Sequence, residues 1–221
     1  MTINGPLPLS ALLRNTALEV SHLAQGATTD DVEDLHALCE KLTEDLASAL
    51  QVREVAVDVA RDVLYMQCAL LDETVLACLP TQSRPLWEAT PLQVERYGEH
   101  NAGEQVYSRL ATRMREAPPN VGLLECYATV LGLGFQGKFA REGAPQRAAI
   151  IRSLDERLAK LSPSGASEFV VDATRTHRLD WFYRLSPWAI AGLVCAAGAV
   201  VFMLIGQGLD LQASHLLPAK A

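Results

Sequence analysis

Two adjacent acids, Asp72 and Glu73, are the only charges between Met66 and Leu79, on a stretch that turns apolar nearly all round as a helix. A carboxylate in such surroundings is costly unless it is paired, hydrogen-bonded or placed at a cleft. Neighbouring residues on a helix point about 100° apart, so these two cannot flank one substrate atom as a general acid and base. The pair therefore reads as a structural cap or ion pair, or as the lining of a cleft that faces a partner, and not as a catalytic dyad.

A second candidate is Gly132-Leu-Gly-Phe-Gln-Gly137-Lys138, which satisfies G-x-G-x-x-G and the first seven positions of G-x-x-x-x-G-K-[ST]. Both patterns cradle phosphates on backbone N–H groups at a helix N-terminus. Phe139 stands where the second pattern needs a magnesium-binding hydroxyl, and no parallel-strand pattern surrounds the glycines. A membrane-tethered nucleotide-binding enzyme built on Gly132–Lys138 is thus the alternative reading. The preferred one is a helix end breaking into a glycine turn, with Phe135 and Phe139 packed inward. His36 and Cys39 have the spacing to share a helix face, but zinc needs two further ligands and none converge in the sequence. With no nucleophile elbow either, the expectation is a protein that is no enzyme and carries no cofactor.

The elements that position these residues are helical. Hydrophobic residues make up 49% of the 221 and charged residues 20%, which excludes a disordered or collagen-like chain. A net charge of -7 offers no basic footprint for nucleic acid. Cys39, Cys68, Cys78, Cys126 and Cys195 form no C-x-x-C pair and read as reduced, buried thiols of a cytosolic compartment. The opening residues lack the basic and apolar regions of a signal peptide.

The apolar period is that of helices up to about residue 160. One helix is expected over Pro6–Gln25 and stops at Gly26. A second is capped by Asp30 and carries Leu35, Leu38, Leu42, Leu46 and Leu50 on one stripe. A third runs from about Glu54 to Leu79 with Val55, Val59, Val63, Met66 and Leu70 on its stripe, and Pro80 ends it. Pro85, Pro91 and Pro118-Pro119 mark loops. Glu104–Glu116 and Asn120–Leu133, the latter with Asn120 as N-cap, are helical, and Pro145 opens a last helix to about Lys160. Short connections between amphipathic helices imply antiparallel packing.

Residues 185–209 carry no charge. About 20 such residues, at about 1.5 Å each, cross a hydrocarbon layer of about 30 Å. Arg175, Arg178 and Arg184 precede the stretch, whereas Lys220 alone follows it among Lys and Arg, so the N-terminal part is expected in the cytoplasm. Gly192, Ala196 and Ala199 recur at helical spacing and would allow close packing of another membrane helix, self-association included. The expected organisation is a cytoplasmic helical domain over 1–161, a linker and juxtamembrane segment over 162–184, a membrane helix over 185–208 and a short periplasmic tail over 209–221.

Three blocks give the chain a resemblance to a known family. They are Cys68-Ala-Leu-Leu-Asp-Glu-Thr-Val-Leu76; Trp87 and Pro91-Leu92, with Glu99 and Gly103-Glu104-Gln-Val-Tyr107; and the run from Leu123-Leu124-Glu-Cys-Tyr through Gly132-Leu-Gly-Phe-Gln-Gly-Lys138 to Arg141. They resemble the A-L-x-D-E-x-V-L, E-x-x-x-G-E-x-F-F and L-L-E-L-x-Y-x-C-L-x-L-G-F-E-G-K-Y-R blocks of the DotU/TssL (IcmH-like) proteins, inner-membrane subunits of type VI secretion systems. Gln136 departs from the family's usual Glu, and His100-Asn101-Ala102 departs from an aromatic and a glycine. The resemblance implies an all-α, hook-like domain of two small helical bundles followed by one C-terminal membrane helix. It implies partnership with a TssM-like (IcmF) subunit, through it with a TssJ-like lipoprotein, and on the cytoplasmic side with the baseplate protein TssK. Asp72, Glu73, Glu99, Glu104, Gln136 and Lys138 become the partner-contact candidates. The homologous subunit of a type IVB secretion system fits the same residues. Some relatives carry a peptidoglycan-binding domain beyond the membrane helix, and the short tail here is expected to leave that task to another subunit.

Overall fold

The computed structural model describes residues 7–26, 31–141 and 143–161. Among them every regular element is a helix. A 3-10 turn over Leu9–Leu13 leads into α1 (Arg14–Ala24), so the single helix expected here is two pieces. It stops at Gly26, whose φ of +85° suits glycine.

Helix α2 (Val32–Val52) starts one residue later than expected. The side chain of Asp31 accepts the Glu33 N–H at 2.9 Å, and Glu33 and Asp34 add negative charge to the first turn, whereas the expected cap Asp30 lies outside the described residues. Its buried stripe is Leu35, Cys39, Thr43, Leu46 and Leu50. Leu38 lies on the solvent side at 36% exposure, and Cys39 takes the inward position instead.

Helix α3 (Val57–Cys78) is the centre of the fold. Twelve of its 22 residues are buried, from Val59 to Val75 and pointing to several sides, because α1, α2, α5, α6 and α7 all pack against it. Gln67, fully buried on α3, donates to Thr16 Oγ1 at 2.9 Å and to the Leu42 carbonyl at 3.2 Å. It ties α1 and α2 to the central helix where an unpaired amide would be costly.

Pro85 and Pro91 do more than mark loops. Pro85 lies in the first turn of α4 (Arg84–Ala89), and Pro91 is the N-cap of α5 (Leu92–Tyr97), which Gly98 ends at φ +65°. Proline is tolerated at such starts because the N–H it lacks has no helical partner there. Then come α6 (Ala102–Arg113), α7 (Val121–Gly132), a 3-10 turn over Gly137–Phe139 and α8 (Ala144–Leu161). Asn120 Oδ1 accepts the Leu123 N–H at 3.0 Å as the expected cap of α7.

The buried hydrophobic side chains, from Leu13 to Leu154, form one cluster. The two-bundle division implied by the resemblance is not marked by a break in that core. No described helix is long and apolar enough to cross a membrane. The expected segments over 162–184, 185–208 and 209–221, with Cys195, Gly192, Ala196 and Ala199, lie outside the described residues.

Candidate functional site

Asp72 sits near the C-terminal end of α3 with 8% of its surface exposed. Its Oδ1 accepts the Trp87 indole N–H and the Leu92 N–H, both at 3.0 Å, and its Oδ2 accepts the Gln93 N–H at 2.9 Å. Leu92 and Gln93 are the first two residues of α5, whose own N-cap is a proline without a side-chain acceptor. Asp72 therefore caps α5 from another helix and fixes the α4 tryptophan beside it. Burial pushes its carboxyl above the ordinary aspartate range, while the three donors pull it back.

Glu73 points to a different element. Its Oε1 accepts the Gln136 N–H and its Oε2 the Gly137 N–H, each at 2.7 Å. Short, doubled bonds to a charged acceptor are the strong kind. Gly137 has φ +54°, and together these two amides form the concave donor pair the glycine motif suggested for phosphate. The chain's own carboxylate already fills it. A phosphate would have to displace Glu73 and then lie beside its negative charge, which disfavours the nucleotide reading of Gly132–Lys138.

The same turn is held on its other sides. Tyr107 donates to the Gln136 carbonyl at 3.1 Å, and Arg147 of α8 donates to the Phe135 carbonyl at 2.8 Å and the Leu131 carbonyl at 2.6 Å. The Tyr107 ring stacks on Phe135 at 5.9 Å and meets Phe139 edge-on at 4.8 Å. Phe135 is buried as expected, whereas Phe139 is only half-buried. From α6, Gly103 comes so near that a Cβ on it would stand 3.0 Å from the Gly137 Cα; one on Gly137 would stand 2.6 Å from the Gly103 carbonyl oxygen. Two glycines are needed for this crossing of backbones. All three sequence blocks thus meet at the turn: Glu73, Gly103 with Tyr107, and Phe135 to Phe139.

What the turn exposes is Gln136 and Lys138, with Glu104 exposed in the first turn of α6, one residue from Gly103. Lys138 Nζ lies 5.5 Å from the Phe139 ring centre and 6.0 Å from that of Tyr107. Glu99 stands apart from this group. It accepts from the Tyr65 hydroxyl at 2.6 Å and pairs with Arg109 at 3.8 Å.

Arg109 belongs to a network the sequence did not suggest. Asp62, 6% exposed on α3, accepts from Arg113 Nε at 2.7 Å and Arg109 at 3.2 Å, and Arg113 also reaches Asp58 at 2.9 Å and Glu116 at 3.0 Å. These groups line an open cleft between α3 and α6 with acids and arginines in balance. Asp62 reads as an ordinary surface acid on its helix, and its partners lie 47 and 51 residues away.

Cys39, Cys68, Cys78 and Cys126 are free thiols. Burial pushes Cys39, Cys68 and Cys126 up to about 12, which leaves them inert as nucleophiles. Cys39 faces the core and does not join His36.

The sequence matches the family described as type VI secretion system protein DotU over residues 8–207. The fold is similar to a crystal structure of T6SS SciP/TssL from enteroaggregative Escherichia coli 042, with a TM-score of 0.61 at 28% identity, over 74% of this chain and 95% of that one. It is similar too to the cytoplasmic domain of TssL from Acinetobacter baumannii, with a TM-score of 0.66 at 21% identity, over 71% of this chain and all of that one. No curated protein matches the sequence.

Proposed function

The chain belongs to the DotU family of type VI secretion system proteins, and from that premise we propose that it is a non-catalytic scaffold subunit of the secretion machine's membrane complex. In this reading residues 185–208 anchor it in the inner membrane by a single span, the helical domain over 1–161 lies in the cytoplasm and the tail over 209–221 in the periplasm. A TssM-like (IcmF) subunit joins it in the membrane and connects it to a TssJ-like lipoprotein; Gly192, Ala196 and Ala199 offer the face for helix packing or self-association. Baseplate protein TssK docks on the cytoplasmic domain.

One observation supports the docking part. The Gln136–Lys138 turn presents exposed polar groups on a backbone that Glu73, Tyr107, Arg147 and Gly103 hold from four directions. Binding to a pre-ordered surface loses less conformational entropy than binding to a loose loop. In the proposal, the roles of the candidates divide. Gln136, Lys138 and Glu104 touch the partner and Glu73 sets the shape of what it meets, whereas Asp72 holds α4 and α5 and Glu99 ties to Tyr65 and Arg109, away from the turn.

The test is co-purification of the detergent-extracted chain from cells expressing its whole secretion operon. Recovery with the TssM-like subunit and with TssK supports the proposal. Recovery as a lone monomer, or from the soluble fraction after carbonate washing, contradicts it.

A further inference from the structure

We propose that His36, Glu40 and Glu95 form a site for one divalent transition-metal ion of the zinc class, which clips α2 to α5. His36 and Glu40 lie at i and i+4 on α2, a spacing that puts both on one face of the helix. Glu95 comes from the first turn of α5. His36 Nδ1 is 3.7 Å from Glu40 Oε1, and His36 Nε2 is 3.5 Å from Glu95 Oε2. One donor atom from each of the three residues falls within 4.8 Å of the others.

The imidazole is prepared for a ligand's role. Its ring is mostly covered, with its centre 5.3 Å from that of Trp87, the residue Asp72 holds. Its Nε2 lies 3.1 Å from the Thr90 carbonyl. A ring N–H donated to a backbone carbonyl is the usual support of a metal-bound histidine, since it fixes the tautomer and leaves the other nitrogen's lone pair free. Donation from Nε2–H to the Thr90 carbonyl would leave the lone pair on Nδ1, on the side of Glu40, so Glu95, which lies beside Nε2, would have to swing its half-exposed carboxylate round to the Nδ1 side to complete the site.

Two ligands about 2.1 Å from a tetrahedral zinc ion stand about 3.4 Å apart. The carboxylates of Glu40 and Glu95, 42% and 50% exposed, have the freedom to close to that spacing. Imidazole nitrogen with two carboxylate oxygens suits zinc and its neighbours, while magnesium and calcium prefer oxygen alone. Three protein ligands leave a fourth position for water or for a partner's side chain. Cys39 has no part, because it faces the core.

The experiment is a zinc titration of the full-length chain in detergent, free of any histidine tag, followed by calorimetry and by thermal unfolding. The expected result is saturation at one zinc per chain and a raised unfolding midpoint. His36→Gln and Glu95→Gln should each weaken binding at least tenfold and remove the shift, and equimolar magnesium should not compete. Glu95→Gln decides the matter if His36→Gln fails to fold, since Glu95 is half exposed. The proposal is overturned if no stoichiometric binding occurs, if Glu95→Gln binds zinc as tightly as the wild type, or if magnesium displaces zinc at equal concentration.

Discussion

Glu73 on α3 accepts the Gly137 N–H at 2.7 Å, and the same carboxylate takes the Gln136 N–H at the same distance with its other oxygen. Its neighbour Asp72 takes three donors from α4 and α5. Two adjacent residues on the central helix therefore hold two separate surface elements, and the approximately 100° between them makes that division possible.

Removing the Glu73 carboxylate should loosen the turn while leaving the core intact. Glu73→Ala leaves two amide donors with water alone, and hydrogen exchange at Gln136 and Gly137 should accelerate about tenfold or more, the equivalent of about 1.4 kcal/mol. Exchange in the middle of α3 should stay as in the wild type. Mass spectrometry of the exchanged peptides checks both.

Asp72→Asn turns one carboxylate oxygen into an amide that faces donors with donors, and should cost about 1–3 kcal/mol at neutral pH. Burial raises the folded carboxyl above its unfolded value, so the folded state holds the proton more firmly. That contribution is complete below the unfolded range of about 4 and is lost as the pH rises through the folded value. The stability gap between wild type and Asp72→Asn should therefore be wider at acid pH than at pH 7. A fragment ending at Leu161 keeps Trp87 as its single tryptophan, and its fluorescence during urea unfolding reads the gap at each pH.

The glycine crossing gives a steric prediction. Gly103→Ala improves helix propensity by up to about 1 kcal/mol but places a Cβ 3.0 Å from Gly137 Cα and 3.1 Å from the Lys138 nitrogen, backbone atoms with little room to move. The net effect should be a loss of about 1–3 kcal/mol. Gly137→Ala should lose more, because its φ of +54° and a 2.6 Å approach to the Gly103 oxygen act together. Gly132→Ala, with nothing near its Cβ, is the control and should be neutral or stabilising. Thermal unfolding orders the three.

Asp62 and Asp58 share Arg113 but not its surroundings. Asp62→Ala leaves two partly buried arginines without their interior acid and should cost about 3 kcal/mol. Asp58 is 62% exposed, and Asp58→Ala should leave the unfolding midpoint close to that of the wild type. Urea unfolding of the two variants separates a buried pair from a surface one.

Much of this was readable from residue order, and the exceptions have a common cause. Asn120 before an apolar run and Pro145 in a first turn located α7 and α8, because caps and prolines act within a few residues. Helices α4 and α5 look like loops in the sequence, since six residues show no apolar period and proline signals a turn and a helix start alike. The apolar stripe points Leu38 inward where Cys39 is, as the drift of a 3.6-residue period over a long helix allows either. The Glu73 turn contact spans 63 and 64 residues, and the Asp62 network up to 55. Such pairs exist only once the chain is folded, so Glu73 is visible in the sequence as a cost to be met, Asp62 is not, and the partners of neither can be read there.

In the proposed function the turn over Gln136–Lys138, held in place by Glu73, meets the cytoplasmic partner. The most direct measurement is the affinity of purified TssK for the detergent-solubilised full chain, compared with a Gln136→Arg, Lys138→Glu double variant whose unfolding midpoint is unchanged. At least a tenfold loss of TssK affinity is expected, with co-purification of the TssM-like subunit undiminished. Equal TssK affinity in the folded variant would contradict it.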